Sequence, residues 1–266
     1  MKFENVVLLM ADALRLDFAD RYVRHLFQPT VSYNCMSGGE ETRVSLPIIL
    51  TGKRNFECEH IQLTVESRVE RHGGVVRIKS PTIFDILARE GFTVAYINLD
   101  AYSDILMDNQ VSIFPGLPSD RTLFDILEEQ NRKVCVFLHL WETHYPWVNR
   151  SLSYLKESGK DFRTEYYWGV RRLESRVTRL FNILERYRML RNTLVVFTSD
   201  HGEETTKDRS RHKRDLVPLY FKSIYFRDIH LGRAEHVDIL PTVLDLLDIE
   251  YSGLDGRSLF DERWLA

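Results

Sequence analysis

Cysteine is scarce in this sequence, and the arrangement of the three that are present excludes two common roles. Cys35, Cys58 and Cys135 form neither an even set of disulfide partners nor a Cys-x-x-Cys metal motif. Cys135 lies inside the apolar run 134–140, where a cysteine is typically a small core residue. Cys35 and Cys58 pair only if the fold brings them together, and a reducing compartment disfavours that bond. Neither is our candidate nucleophile.

The sequence also lacks a strong net charge and a long apolar segment. A formal net charge of −3 excludes a protein whose overall role is to coat nucleic acid, so no stable nucleic-acid partner is predicted. The first apolar run is short and is closed by Asp12, which argues against a signal peptide or transmembrane helix. We therefore expect a cytoplasmic protein. No repeat, low-complexity tract or linker divides the 266 residues, so we predict one domain, 1–266; the oligomeric state is left open.

Apolar runs alternate with helical patterns along most of the chain. The runs predict strands at 5–10, 92–98, 133–140, 195–198 and 216–221. Helical spacing and capping signals predict helices at 13–22, 44–50, 80–90, 122–130, 162–191 and 236–247. The stretch 53–79 is predicted to be irregular with one or two short strands, and 100–119 to be a loop. The alternation predicts an α/β fold with a mostly parallel central sheet and helices on both faces.

Acidic residues follow two of the predicted strands where each strand ends. Asp200 and His201 come after the run 195–198, and Asp12 comes after the run 5–10. Ligands of open α/β sheets bind beyond the carboxyl ends of the strands, so these side chains are candidate metal ligands. Each assignment has an alternative. For Asp200 and His201, the alternative to metal binding is a strand end held only by hydrogen bonds. For Asp12, the alternative is a cap on the helix that follows it.

Thr42 precedes the predicted helix 44–50 and has two interpretations. It caps the helix, which is the common role of threonine at such a position. Alternatively it is a nucleophile, because a helix N-terminus stabilises an alkoxide and offers backbone N–H groups to a phosphate.

Three histidines near predicted strand ends receive different interpretations. His144 follows the strand 133–140 and is a candidate to orient a substrate oxygen or bind metal. His139, inside that strand, is predicted to be a hydrogen-bonded core histidine. His212 lies in the charged stretch 204–215, predicted to be a surface loop, where a single histidine is usually just exposed.

The predicted helix 162–191 has one apolar face and one basic face. We interpret the basic face as solvated, with an acidic partner or anionic lipid head groups as the alternative. The arginines of this face are Arg171, Arg172, Arg176, Arg179 and Arg186.

Six stretches occur in a characteristic order: NVVLLMAD at 5–12, TRVSLPIILTG at 42–52, THYP at 143–146, TSDHGE at 198–203, HVDILPT at 236–242 and GLDGRSL at 253–259. Together they resemble the alkaline phosphatase superfamily, in particular its sulfatase-like and phosphoglycerol-transferase-like branches. The first, second and fourth stretches carry the chemistry of that family, whereas the last two are mainly framework. The resemblance runs through most of the chain and implies the three-layer α/β sandwich of the superfamily.

The resemblance implies a divalent metal surrounded by Asp12, Thr42, Asp200 and His201, with Thr42 as ligand and nucleophile. Such a metal lowers the pKa of the hydroxyl, orients the phosphorus and offsets charge in the transition state. Mixed oxygen and nitrogen ligands favour zinc or manganese, whereas an oxygen-richer site favours calcium or magnesium. We expect one tightly bound metal, because no clear Asp-x-x-x-His pair follows the strand 133–140; a second metal is the alternative.

Other residues are assigned by the same resemblance. His144 and His212 match positions that contact substrate oxygens or a second metal. Arg43 is the candidate partner of a terminal phosphate.

The residue at position 42 distinguishes the branches of the family. Sulfatases that resemble this chain carry a cysteine or serine, later oxidised to formylglycine, nine residues before the threonine of the Thr-Gly pair. Counting back from Thr51 leads to Thr42, whereas Cys35 lies seven residues too early. A threonine cannot supply the formylglycine aldehyde. The resemblance therefore points to phosphorus rather than sulfur.

These observations predict a metal-dependent hydrolase that acts on a small anionic ester through a covalent threonine intermediate. Phosphodiesters are preferred over phosphomonoesters, because the sequence offers one evident metal and no arginine dedicated to a terminal phosphate other than Arg43. The alternatives are a sulfatase or phosphonate hydrolase of the same superfamily, and a non-catalytic module that binds anions.

Overall fold

An eight-stranded sheet forms the centre of the molecule. The structure, a computed structural model, describes residues 3–61, 75–98, 105–107, 112–115, 133–144, 162–203 and 215–266. The strands are β1 (Asn5–Ala11), β2 (Thr30–Met36), β3 (Cys58–Ile61), β4 (Val75–Ile78), β5 (Phe92–Asn98), β6 (Ile105–Met107), β7 (Ser112–Pro115), β8 (Lys133–Leu140), β9 (Thr193–Ser199), β10 (Leu216–Lys222) and β11 (Ile229–Glu235). Across the central sheet the strand order is β11-β2-β10-β9-β1-β8-β5-β7, and β3-β4-β6 form a separate three-stranded sheet.

β1 lies between β8 and β9, parallel to both. All seven residues of β1 are buried, as expected for a parallel strand with helices over both faces. Ala11 is in register with Leu140 of β8 and with Ser199 of β9, so the three strands end level. The residues that follow them are therefore delivered to one place on the edge of the sheet.

β10 is the exception to the parallel arrangement. It pairs antiparallel with β9 on one side and with β2 on the other. The outermost strand on this side, β11, is parallel to β2, and its register shifts between His230 and Arg233. The predicted α/β fold with a mostly parallel sheet is confirmed, with β10 running the other way.

Helices cover both faces of the sheet and enclose two cores. The described α-helices are α1 (Leu16–Tyr22), α2 (Thr42–Thr51), α3 (Ile83–Arg89), α4 (Phe162–Arg186) and α5 (Ile239–Leu246). The core beneath α2, α3 and α5 takes Val6, Leu8 and Met10 from β1. The core beneath α1 and α4 takes the alternate residues of the same strand, because successive side chains point to opposite faces. Within the described ranges, no helix is both long and apolar enough to cross a lipid bilayer.

The start and stop signals around α3 were predicted correctly. Thr82 accepts a hydrogen bond from the Asp85 N–H, and the Asp85 carboxylate accepts one from the Thr82 N–H, which forms a capping box. Gly91 follows the helix with a φ of 81°, a left-handed conformation that glycine adopts without a Cβ clash. β5 then runs from Phe92 to Asn98, as predicted.

Other predicted boundaries are wrong, for local reasons. The helix expected from Ala13 begins at Leu16, because Ala13 has a φ of 58°. The helix expected to reach Arg191 ends at Arg186, and Arg188 has a φ of 57° before the short 3₁₀ turn 189–191.

The predictions for two irregular stretches met different outcomes. The stretch 100–119 contains β6 and β7 rather than only a loop, whereas the short strands allowed within 53–79 correspond to β3 and β4. The predicted helix 122–130 lies outside the described residues.

The basic face of α4 is mostly exposed, as predicted, although Arg171 pairs with Glu174 of the same helix and Arg176 pairs with a residue outside it. Arg171, Arg172, Arg179 and Arg186 are exposed. Arg176 is partly buried and pairs with Glu142, in the turn that follows β8. That arginine therefore holds the long helix against the edge of the sheet where the strands end.

The three cysteines are free. Cys35 and Cys135 are buried and Cys58 is exposed. Burial raises the pKa of the Cys35 and Cys135 thiols above their ordinary value, which disfavours the reactive thiolate.

Candidate active site

Two carboxylates meet at the level ends of β1 and β9. Asp12 follows β1 and Asp200 follows β9, and both are fully buried. Ser199 joins the two segments: its hydroxyl donates to the Ala11 carbonyl at 2.6 Å and accepts from the Leu14 N–H at 2.7 Å. The strand-end placement predicted for these acids is observed, and Asp12 does not cap α1, whose N-cap residue is Arg15.

Backbone groups orient the Asp200 carboxylate. Its Oδ1 accepts hydrogen bonds from the N–H groups of Ala13 and His201, each at 2.8 Å. The left-handed conformation of Ala13 lets its N–H take part in this contact. Because Oδ1 is satisfied by the backbone, Oδ2 is left to face the other side chains of the site.

Thr42 contacts both carboxylates. Its Oγ1 lies 2.5 Å from Asp200 Oδ2 and 3.3 Å from Asp12 Oδ2. A hydroxyl carries one proton, so the shorter contact is the one that receives it. The interpretation of Thr42 as a helix cap is wrong: α2 begins at Thr42 itself, and its N-cap residue is Glu41, which makes no side-chain capping bond.

His139 also belongs to this cluster, although the sequence indicated only a core residue. It is 2% exposed, its Nε2 lies 3.1 Å from Asp12 Oδ2, and its Nδ1 lies 3.4 Å from the Tyr96 hydroxyl. The prediction that it is buried and hydrogen-bonded is correct, but its main partner is a site carboxylate. The signal available in the sequence was its place near the end of a predicted strand. In the structure His139 is in register with Met10 of β1.

His201 presents one ring nitrogen to the site. Its Nδ1 donates to the Gly202 carbonyl at 2.9 Å, and its Nε2 lies 3.5 Å from Asp200 Oδ2. Burial alone would lower the pKa of His201, but the charges of Asp200 and Asp12 outweigh burial and raise it. A proton on His201 therefore compensates the two carboxylates when no other cation does so.

Asp12 carries the clearest indication of a missing partner. Burial alone would raise its pKa, but the hydrogen bond and charge of His139, with the charges of His144 and His201, lower it below the ordinary value. Asp12 is therefore an anion inside the protein. Its Oδ1 is buried and has no hydrogen-bond partner among the described residues. A buried carboxylate oxygen without a partner is costly unless a cation occupies the adjacent space.

The residues of the cluster fit a divalent metal. Ligand atoms of Asp12, His139 and Asp200 all lie within 4.8 Å of one another. Two ligand atoms of a tetrahedral site with bonds of ~2.1 Å lie ~3.4 Å apart. The contacts of 3.3 Å from Thr42 to Asp12, 3.1 Å from His139 to Asp12 and 3.5 Å from His201 to Asp200 are close to that spacing. The donor set mixes carboxylate and hydroxyl oxygen with imidazole nitrogen.

The remaining predicted site residues lie near this cluster or outside the described residues. His144 is exposed, and its ring centroid is 4.7 Å from that of Trp141, which in turn is 4.8 Å from His139. Arg43 follows Thr42 in α2 and lies 3.6 Å from the Glu41 carboxylate. The structure thus brings Asp12, Thr42, Asp200 and His201 together, with His144 and Arg43 at the margin. His212 lies outside the described residues.

A parallel sheet with a buried carboxylate, threonine and histidine cluster at the carboxyl ends of its central strands defines an α/β fold with a candidate metal centre. The sequence matches the Sulfatase family over residues 4–249, which is most of the chain. The chain belongs to the Sulfatase family. Its structural neighbours include a protein of the alkaline phosphatase superfamily from Vibrio parahaemolyticus, which superposes with a TM-score of 0.68 at 16% sequence identity over 97% of this chain and 70% of that one.

Individual relatives differ in the activities that their names describe. The phosphopentomutase of Alkaliphilus oremlandii (strain OhILAs) is 27% identical over 173 residues, which cover 63% of this chain and 40% of that protein. The choline-sulfatase of Rhizobium meliloti (strain 1021) is 30% identical over 115 residues, which cover 39% of this chain and 22% of that protein. This chain therefore matches less than half the length of these two relatives.

The structure of a phosphonate monoester hydrolase from Agrobacterium radiobacter superposes with a TM-score of 0.71 and 15% sequence identity. The superposition covers 98% of this chain and 78% of that one. At this level of identity the similarity shows that the two proteins share a fold.

Proposed function

We propose that this protein is a metal-dependent hydrolase of phosphate esters in which Thr42 is the nucleophile. The observation that supports this proposal most directly is the Thr42 hydroxyl, which lies within hydrogen-bond distance of two buried carboxylates. A structural threonine at the first turn of a helix would satisfy the backbone instead. This one is directed to the two charged groups best placed to bind a metal.

Threonine at this position favours phosphorus over sulfur. The chemistry of the formylglycine sulfatases needs an aldehyde that a threonine cannot form. The nearest cysteine, Cys35, is buried within β2, where it is in register with Val217 of β10, and does not take the place of Thr42. Phosphopentomutase and phosphonate monoester hydrolase among the similar proteins also act on phosphorus compounds, according to their names.

The metal would be held by Asp12, Asp200, Thr42 and His201. His139 would lie beside Asp12, in contact with its Oδ2. When bound, it supplies positive charge that offsets the charge of the transferring phosphoryl group. The chain adds two further features. The N-terminus of α2 would favour an anion bound beside Thr42, and Asp200 Oδ2 accepts the hydrogen bond of the Thr42 hydroxyl.

The reaction would proceed in two displacements. In the first, the bond from Thr42 Oγ1 to phosphorus forms while the bond from phosphorus to the ester oxygen breaks. The Thr42 proton passes to Asp200, and His144 donates a proton to the departing oxygen. In the second, His144 removes a proton from water, the water oxygen attacks phosphorus, and the Thr42 oxygen leaves and recovers its proton from Asp200. The product is a phosphate or a phosphomonoester, and the enzyme is restored.

Phosphodiesters suit the site better than phosphomonoesters. A terminal phosphate carries an additional negative charge that needs an additional positive partner. Arg43 is the nearest arginine in sequence to the nucleophile, and it lies beside the Glu41 carboxylate, which partly neutralises it.

Turnover of an ester panel tests the proposal. We expect the manganese- or zinc-loaded protein to hydrolyse bis(p-nitrophenyl) phosphate faster than p-nitrophenyl phosphate, an aryl phosphonate or an aryl sulfate. Thr42→Ala should lower turnover by on the order of 10³-fold or more, because it removes the nucleophile. Thr42→Ser is the matched control and should retain turnover, since it keeps the hydroxyl.

Three outcomes would contradict the proposal. Full metal-dependent turnover by Thr42→Ala would exclude this nucleophile. Preferential hydrolysis of the aryl sulfate would favour a sulfatase. Metal binding with no turnover of any ester would favour a module that binds anions.

A further inference from the structure

His236 is a buried histidine that connects the two segments from which Thr42 and Asp200 project. It is 1% exposed and begins the 3₁₀ turn 236–238, which lies against α2. Its Nδ1 lies 2.9 Å from the N–H of Gly38, in the loop that leads to Thr42. Its Nε2 lies 2.9 Å from the carbonyl of Ser199, the residue before Asp200.

The two partners of His236 determine its protonation. A backbone N–H can only donate and a backbone carbonyl can only accept, so Nδ1 carries the lone pair and Nε2 carries the proton. Burial lowers the pKa of His236 to about 3, although the bond to Ser199 opposes the shift. The ring is therefore neutral near pH 7, with one donor and one acceptor, both in use.

The loop that His236 holds is packed closely on α2. A Cβ added at Gly38 would come within 2.6 Å of Ile48, and one added at Gly39 would come within 2.6 Å of Val44. The Gly39 carbonyl accepts a hydrogen bond from Ser45 of α2 at 3.0 Å. Moving this loop therefore moves the first turn of α2 and the Thr42 hydroxyl with it.

The 3₁₀ turn that carries His236 is itself fixed from the opposite side. The Asp238 carboxylate accepts hydrogen bonds from the N–H groups of Glu235 and Arg257. A Cβ at Gly256 would come within 2.0 Å of the Val237 carbonyl, so the C-terminal segment lies directly against the turn. His236 thus extends from a firmly held base.

We propose that His236 is a positioning residue that sets the distance between the Thr42 hydroxyl and Asp200. It does so by binding the loop that precedes Thr42, at Gly38, and the strand that precedes Asp200, at Ser199. The proposal rests on the function proposed above for the role of Thr42. It concerns a part of the chain remote from the metal ligands in sequence and assigns His236 no contact with metal or substrate.

Three variants test the proposal. His236→Leu removes both hydrogen bonds and keeps much of the volume. His236→Gln keeps one acceptor and one donor, and it should restore what the leucine variant loses. Thr193→Val is the matched control, because Thr193 is buried at the start of β9, the end remote from Asp200, and its hydroxyl donates to the Met189 carbonyl.

The kinetic result should separate positioning from general destabilisation. A displacement of ~1 Å at a reacting group can reduce turnover ~100-fold. We expect His236→Leu to lower kcat by ~10- to 100-fold with KM changed less than ~3-fold, and we expect the glutamine variant to recover most of kcat. Thr193→Val should keep the wild-type kcat at a temperature where all variants are folded. An equal loss of kcat in Thr193→Val, or none in His236→Leu, would overturn the proposal.

Two readouts do not depend on turnover. In crystals of His236→Leu, the distance from Thr42 Oγ1 to Asp200 Oδ2 should exceed about 3.5 Å, so that the hydrogen bond is lost. Calorimetric titration with Mn²⁺ should show weaker binding by His236→Leu than by wild type. The double variant Thr42→Ala/His236→Leu should bind Mn²⁺ as strongly as Thr42→Ala alone. An unchanged distance would overturn the proposal.

These readouts also separate the two proposals. If the wild type hydrolyses none of the esters, the proposed function fails, yet a longer Thr42–Asp200 distance in the variant still supports positioning by His236. If His236→Leu does not fold, His236→Asn replaces it, because the shorter amide reaches Gly38 and falls short of Ser199, and the same distance decides.

Discussion

Acid should destabilise this protein through His236, and the size of the effect follows from its burial. In the unfolded chain the imidazole takes up a proton near its ordinary pKa of 6.5, whereas in the fold burial lowers that pKa to about 3. The bond to the Ser199 carbonyl opposes this shift, and the nearby charge of His201 contributes to it. Between these two values the unfolded state binds more protons than the folded state. The stabilisation is therefore complete above the unfolded pKa and is lost as the pH falls towards the folded pKa.

The magnitude can be worked out for an accessible range. From pH 7.5 to pH 5.0 the unfolded imidazole becomes almost fully protonated while the folded one stays neutral. Linkage then gives a loss of ~2 kcal/mol in the free energy of unfolding. The loss should continue at lower pH until the folded pKa is reached.

Urea denaturation of the wild type and of His236→Gln measures this contribution. A chelator should be present throughout, so that metal binding does not add its own pH dependence. Glutamine keeps a donor and an acceptor but does not titrate. The stability of the wild type relative to the variant should therefore fall by ~2 kcal/mol between pH 7.5 and pH 5.0. Thr193→Val removes a buried hydroxyl and no titratable group, so it is the control, and its curve should run parallel to that of the wild type.

The opposite result is easily recognised. If the curves of the wild type and His236→Gln run parallel over this range, His236 has the same proton affinity in the folded and unfolded states. The lowering of the His236 pKa by burial would then be wrong.

Three further predictions concern the metal, a helix cap and a close contact. Mn²⁺ at a hundred times its dissociation constant should raise the free energy of unfolding by ~2.7 kcal/mol in the wild type and by none in Asp12→Asn, as measured by urea denaturation with and without metal; an equal gain in both would place the ion elsewhere. Thr82→Ala should lower stability by ~1 kcal/mol by removing the capping box of α3, whereas Thr82→Ser should not, and equal losses would assign the effect to packing. Gly256→Ala should cost ~1–3 kcal/mol, because its Cβ meets the Val237 carbonyl, and unchanged urea denaturation would show that the segment can move away.

The central strands could be predicted from the sequence because burial on both faces makes a strand a continuous apolar run. β8 occupies 133–140 and β5 occupies 92–98, as predicted. Of the strands that were missed, β6 and β7 are short and β11 lies at an edge of the sheet, whereas β2 has seven residues and lies between β11 and β10. β7 has four residues and ends at Pro115, and β11 alternates partly buried and exposed positions, with Gly232 in its middle. Their pairing partners determine them more than their own composition does.

The site residues that follow a strand directly could be predicted from the sequence. Asp12 and Asp200 are of this kind. Thr42 is not, because its partner Asp200 is 158 residues away, and no local pattern distinguishes a capping hydroxyl from one directed at that carboxylate. His139 was interpreted from its apolar neighbours, whereas its position next to Asp12 follows from the register of β8 against β1. The function of both residues depends on pairing between distant strands, which composition does not encode.

The central position of β1 has a consequence for how the chain folds during synthesis. Asn5 pairs with Val134 on one side and Thr193 on the other, so both neighbours of this strand are made long after it. At about 5–20 residues per second, β9 is completed on the order of 10 s or more after β1 has left the ribosome. During that interval a strand that is apolar at every position except Asn5 has two open edges, an arrangement prone to pair with other chains. The strand that is best protected in the folded protein is therefore the segment that most needs a chaperone during synthesis.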